Sequence, residues 1–238
     1  MFMYWDPMYF VFTLPAIILV FWAQWRVQSA YKKWLRVRNS RGLTGMQAAR
    51  MLLNYNNLGH VGIEGTPGTL SDHYDPRSRT MRLSPGVANS DSVAALAVVA
   101  HEIGHAVQDA EAYTPMKLRT AIVPGVQIGS YLGPILVMIG LVLAFYMRSP
   151  FGYQLAWIGV FFFSAALVFA FATLPVEFNA SARAKVMLTD AGLIYADEVN
   201  GVRSVLDAAA LTYVAAAAQA LSTVLYYIFL LGGFRRRN

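Results

Sequence analysis

The chain has 238 residues, 57% of them hydrophobic and only 13% charged, with a formal net charge of +6 and no cysteine. With a mean hydropathy of +0.44, this balance excludes an ordinary soluble domain and points to a membrane protein. The absence of cysteine excludes disulfides, thiolate metal ligands and thiol catalysis.

The first apolar run, about Met8 to Trp25, is long enough to cross a bilayer, which takes about 20 apolar residues. Trp22 and Trp25 suit the interface. Residues Met1 to Pro7 include Asp6 and no Lys or Arg, unlike a cleavable signal, so the run reads as a retained anchor with its N-terminus outside. A basic cluster follows directly: Arg26, Lys32, Lys33, Arg36, Arg38 and Arg41. Beside a span, such a cluster suits anionic lipid headgroups better than nucleic acid, which is not an expected partner.

Thr44-x-x-Gln47 is a capping-box pattern that predicts a helix to about Leu58, stopped at Gly59. Short strands are predicted at His60–Glu64 and Thr69–Tyr74. Asp75-Pro76-Arg77-Ser78 is turn chemistry, and Arg79–Leu83 alternates as a strand does. The next helix opens near Ser90 or Asp91 and continues to about Ala110.

That helix carries His101-Glu102-Ile103-Gly104-His105. Histidines at i and i+4 lie about 40° apart on one helix face, so both imidazoles can reach one metal ion. Glu102, beside the first histidine, can take a proton from a metal-bound water and deliver it to a leaving amine. Gly104 is expected to leave room for a strand or a substrate. Two uncoordinated histidines on so apolar a helix would be expensive to bury, which weighs against an accidental pattern.

A second span is predicted within Ala121–Met147, where Gly125, Gly129, Gly133 and Pro134 suggest close helix packing. After a turn at Arg148-Ser149-Pro150, a third covers about Tyr153–Leu174, and a fourth about Leu211–Leu231. The resulting division is an anchor at 1–25, a catalytic region at 26–117, a membrane hairpin at 118–174, a connector helix at 175–210, and a last span with basic tail at 211–238.

A hydrolytic zinc site needs a third protein ligand. His60, His73, Asp109 and Glu111 are candidates. Glu177 stands out, on an apparent fresh helix start at Leu174-Pro175-Val176-Glu177 just past the third span. Because the second and third spans form a hairpin, His101 and Glu177 emerge on the same side of the membrane. The competing role for Glu177 is an ion pair with Arg183 or Lys185. Basic residues favour a cytoplasmic position for that side, although Arg235-Arg236-Arg237 pulls the other way.

Four blocks together, 101–108, 72–77, 174–181 and 205–215, resemble the YugP-like neutral zinc metallopeptidases, and the resemblance spans most of the chain. It implies a membrane-embedded gluzincin-type peptidase of the bacterial inner membrane, with Zn2+ held by His101, His105 and Glu177 and Glu102 as general base. The implied fold is mainly α: a four-helix transmembrane bundle carrying a small α+β zincin-like domain with the HExxH helix and a short β hairpin. One departure stands out. Better-understood gluzincins often place an Asp four residues after the ligand Glu to orient a zinc histidine; here that residue is Ser181, with Asn179 nearby and Asp207 as a substitute orienter. His73, Tyr74, Tyr195 and Arg183 are candidate oxyanion donors.

The expected activity is zinc-dependent endopeptidase action by Glu-assisted attack of a zinc-bound water. Membrane lipids and a protein or peptide substrate are the expected partners, with room for a membrane-protein partner. Two other readings stay open: an intramembrane site-2-type protease, if the motif helix dips into lipid, and a zinc-stabilised non-catalytic scaffold or adaptor.

Overall fold

The structure, a computed structural model, describes residues 7–234; Met1–Asp6 and the Arg235-Arg236-Arg237 tail, both used in the topology expectation, lie outside the described residues. The chain is mainly α, in the order α1 (Pro7–Leu35), α2 (Gly45–Tyr55), β1 (Gly62–Gly65), β2 (His73–Asp75), β3 (Thr80–Leu83), α3 (Pro85–Ala88), α4 (Val93–Ala110), α5 (Thr114–Tyr146), α6 (Pro150–Asp190) and α7 (Val199–Phe234). Among the described residues four helices are long and apolar enough to cross a membrane: α1, α5, α6 and Val199–Gly233 of α7. Helices α1, α6 and α7 run well past the predicted spans.

Two compact units divide the chain. The first holds the residues up to Trp22, Leu118–Thr173, and those from Tyr213 onward. Its core gathers Val137, Leu141, Ala156, Val160, Tyr226 and Leu231. Glycine lets α5 and α6 approach closely: a Cβ on Gly140 would lie 2.4 Å from the Ala156 nitrogen, and one on Gly159 2.5 Å from the Val137 nitrogen. Polar ties also join its helices. The Tyr153 hydroxyl donates to the Leu231 carbonyl at 3.2 Å, and the Ser222 hydroxyl donates to the Phe12 carbonyl.

The second unit holds Ala23–Lys117 and Leu174–Thr212. Helix α4 is its centre, with Val93–Ala97, Val99–Ala106 and Gln108 all buried. The predicted capping box exists: the Thr44 hydroxyl accepts from the Gln47 amide at 3.3 Å, and the Gln47 side chain accepts from the Thr44 N–H at 2.9 Å. Ser92, rather than Ser90 or Asp91, caps α4, accepting from the Ala95 N–H at 3.1 Å. Glu198 is buried, and its carboxylate accepts from the Ser40 and Tyr195 N–H groups at 2.8 and 2.9 Å.

The sheet has the order β1-β3-β2, with β2 and β3 antiparallel and β1 and β3 parallel. The hairpin turn is the predicted one: Asp75 accepts from the Arg77 N–H and the Ser78 hydroxyl at 2.9 and 2.8 Å. The second strand, however, begins at His73 rather than Thr69. Positive φ at Gly68 (105°) and Leu70 (56°) turns the backbone, and the Ser71 hydroxyl closes that turn onto the Pro67 carbonyl at 2.9 Å.

Pro175 does not begin a new helix. It lies inside α6, which runs unbroken from the third span to Asp190. A proline in a helix removes one backbone donor and crowds the preceding turn, and helices of membrane proteins tolerate this where neighbouring groups engage the freed backbone.

Candidate metal centre

Helix α4 places His101 and His105 one turn apart, with ring centroids 4.8 Å from each other and planes at 85°. Glu177 of α6 lies against them. Its Oε2 is 3.2 Å from His101 Nε2 and 3.4 Å from His105 Nε2. All three residues are buried, and their donor atoms lie within 4.8 Å of one another, the only such group of three or more His, Asp or Glu residues among the described residues. A tetrahedral zinc ion holds N and O ligands at about 2.0–2.1 Å, which places them roughly 3.3 Å apart. The donor set and both separations about Glu177 Oε2 suit such an ion.

Close approach of α4 and α6 brings Glu177 there, and Gly104 permits it. A Cβ on Gly104 would meet the Ala180 carbonyl oxygen at 2.7 Å and the Ala180 Cα at 3.1 Å. The space expected for a strand or a substrate is therefore filled by the α6 backbone.

Glu102 points elsewhere. Its Oε2 accepts from the Tyr74 N–H of β2 at 2.9 Å, so the carboxylate sits between the histidines' helix and the sheet edge. Burial raises its carboxyl above the ordinary range; the two histidines and the Tyr74 bond partly offset that, and the Glu177 charge adds to it. Tyr74 is tied down at its other end, its hydroxyl donating to Asp109 at 2.9 Å. Burial first, then that bond, raises the phenol and keeps it protonated as a donor.

The histidines' remaining nitrogens also have partners. His101 Nδ1 is 3.2 Å from the hydroxyl of Ser181, which stands four residues after Glu177 in place of an orienting Asp. His105 Nδ1 is 3.0 Å from Gln108 Oε1. Gln108 Nε2 in turn donates to the Val176 carbonyl at 2.8 Å and to Asn179 Oδ1 at 2.9 Å. Gln108 is not among the candidates drawn from the sequence. The signal was present, since residue 108 follows His105 by three positions and therefore shares its helix face.

Other sequence candidates lie apart from this group. Asp207 does not orient a histidine; it is exposed and pairs with Arg203 at 3.3 Å and Lys185 at 3.6 Å. Glu111 pairs with Arg183 at 2.6 Å, so the Arg183 ion pair weighed as the competing role for Glu177 goes to Glu111 instead. His60 and His73 are exposed, the latter with Nδ1 bonded to the Ser71 carbonyl at 2.8 Å. Of the oxyanion candidates, Tyr195 is exposed with the Arg41 guanidinium over its ring, and Arg183 Nε donates to Asn179 at 2.7 Å.

The long apolar helices and the buried His-His-Glu group define a membrane protein with a metal-type site. Over residues 9–232 the chain matches the family described as "Putative neutral zinc metallopeptidase", and it belongs to that family. It is 43% identical over 232 residues to the "Putative membrane protease YugP" of Bacillus subtilis (strain 168), an alignment covering 97% of this chain and 100% of that protein. No solved structure matches.

Proposed function

We propose that this protein is a membrane-embedded zinc endopeptidase in which His101, His105 and Glu177 hold the metal and Glu102 is the general base. The convergence of two imidazole nitrogens on one carboxylate oxygen, at 3.2 and 3.4 Å, beside a second buried carboxylate, Glu102, that is not part of the group, carries this reading. A purely structural site usually closes with four protein ligands and needs no base, so the Glu102 carboxylate favours hydrolysis over a scaffold role.

Zinc, when bound, supplies Lewis acidity that acidifies water and polarises a peptide carbonyl. Glu102 takes the proton of the attacking water and returns it to the leaving amine. Its raised carboxyl makes it a stronger base than an exposed glutamate. Strand β2 is an edge of the sheet and aims the Tyr74 N–H at Glu102. An extended peptide laid beside β2 would bring a backbone carbonyl towards the same place. Helix α4 is not among the four candidate spans and is enclosed by its own unit's core, which favours this reading over intramembrane proteolysis. The basic residues Arg26–Arg41 favour a cytoplasmic position for the catalytic unit.

Glu102→Gln tests the reading. Glutamine keeps an acceptor for the Tyr74 N–H, so the site should hold and zinc content should stay at the wild-type level. Hydrolysis of an unstructured protein such as casein by detergent-purified protein should fall by at least the ~10²–10⁴-fold typical of a lost general base. Wild-type hydrolysis in the variant would remove Glu102 from the mechanism.

A further inference from the structure

A glutamine amide can present either its oxygen or its nitrogen to a neighbour, and its bonding partners decide which. Arg183 Nε can only donate, so the Asn179 atom that it meets at 2.7 Å is an oxygen. That oxygen and the Val176 carbonyl are both acceptors, and both face Gln108 Nε2. Turning the Gln108 amide over would set oxygen against oxygen twice. Gln108 Oε1 is therefore the atom facing His105 Nδ1 at 3.0 Å, and Nδ1 must be the donor. An imidazole that donates from Nδ1 keeps the Nε2 lone pair for a cation, and Nε2 is the atom that faces Glu177.

We propose that Gln108 is a positioning residue of this centre: its amide oxygen fixes the Nδ1–H tautomer of His105 and so keeps Nε2 as the ligand atom, while Asn179 and Arg183 hold that amide the right way round. The inference rests on the zinc-site reading above. It gives a function to a chain of contacts that begins at the half-buried Arg183, held by Glu111 at 2.6 Å and lying 6.0 Å from the Tyr113 ring, and ends at a buried histidine. The two histidines are also served differently. A hydroxyl, which can donate or accept, meets His101, whereas an amide oxygen, which only accepts, meets His105.

The test compares zinc affinity, by competition with a chromophoric chelator, in the full-length detergent-purified wild type, Gln108→Met and Gln108→Glu. Methionine preserves the volume but accepts no comparable hydrogen bond, whereas glutamate keeps an acceptor and loses the donor. Loss of an outer partner of a ligand histidine typically weakens metal binding about 10–100-fold. Gln108→Met should show that loss, and Gln108→Glu, which keeps the acceptor for His105 but sets its other oxygen against the Val176 and Asn179 oxygens, should still bind zinc more tightly than Gln108→Met. In ¹⁵N spectra of the zinc-loaded protein, the His105 Nδ1–H signal should persist in wild type and Gln108→Glu and vanish into exchange in Gln108→Met.

Equal affinity in Gln108→Met and wild type would overturn the inference, as would a loss confined to Gln108→Glu, which would mean that the donor side of the amide matters instead. A wild type that binds no zinc would defeat the zinc-site reading itself, so the two failures are distinguishable. If Gln108→Met does not fold, Asn179→Leu carries the test. It leaves Gln108 in place but removes one of the two acceptors that orient its amide, and an unchanged zinc affinity together with an unchanged His105 Nδ1–H signal there also overturns the inference.

Discussion

Gly104→Ala adds one methyl group between the helix that carries both histidines and the helix that carries Glu177. The new Cβ would stand 2.7 Å from the Ala180 carbonyl oxygen and 3.1 Å from its Cα. Both partners are backbone atoms, so no side-chain rotation can relieve them. Non-bonded atoms of this kind settle at about 3.5 Å, so α6 must withdraw from α4 by roughly 0.5–0.8 Å. Glu177 precedes Ala180 by three residues on the same helix and moves with it. Metal–ligand distances tolerate only about 0.2 Å, so the shift exceeds the tolerance severalfold. Overpacking of this kind also costs about 1–3 kcal/mol of stability. Thermal unfolding in detergent and chelator competition measure the two effects separately. The unfolding midpoint should fall with or without a chelator, because the clash does not depend on metal. Zinc affinity should drop at least about tenfold, the equivalent of ~1.4 kcal/mol. A variant with wild-type midpoint and wild-type zinc affinity would refute the claim that α4–α6 contact at Gly104 sets the site.

Two pH effects follow from the placement of charges. Asp75 sits below its ordinary value of 3.8, first through the Ser78 hydroxyl and the Arg77 N–H and then through Arg82. Its contribution to stability is complete above that ordinary value and is lost as pH falls below it; Asp75→Asn should therefore flatten the acid side of the thermal stability curve, and an unchanged acid side would contradict this. In the metal-free protein, burial alone would lower His105. The Glu177 bond and the Glu102 and Glu177 charges outweigh it and hold the imidazole above 6.5. Zinc uptake should therefore expel protons, and zinc affinity should weaken as pH falls towards 6.5. Binding without proton release in weak buffer would contradict that assignment.

Local chemistry made much of this molecule legible from the sequence. The Thr44–Gln47 box and the Asp75–Ser78 turn depend on residues within a few positions, and both form. The four apolar helices follow from run length alone. Glu177 could be singled out because hairpin topology constrains the side on which a residue emerges, whatever it packs against. What escaped was mostly long-range. Gln108 looks like a polar residue near a helix end until Val176 and Asn179, some 70 positions away, are seen to fix its amide. Pro175 looks like a helix start because its local preference is for one, and here the continuing helix overrides that preference. Gly104 signalled space, but no local rule says that the Ala180 backbone fills it. Asp207 is isolated in sequence, yet Lys185 and Arg203 claim it in space.

Zinc content per chain, by elemental analysis of detergent-purified wild type and Glu177→Ala, tests the central claim most directly. Glu177 is the proposed ligand contributed from a different helix than the histidines, and its Oε2 lies within 3.4 Å of both imidazole Nε2 atoms. About one zinc per wild-type chain, with a sharp loss in Glu177→Ala, is the expected result for a three-ligand site. A wild type that takes up no zinc when supplied with it, or a Glu177→Ala variant that keeps its full zinc, would contradict the proposed centre.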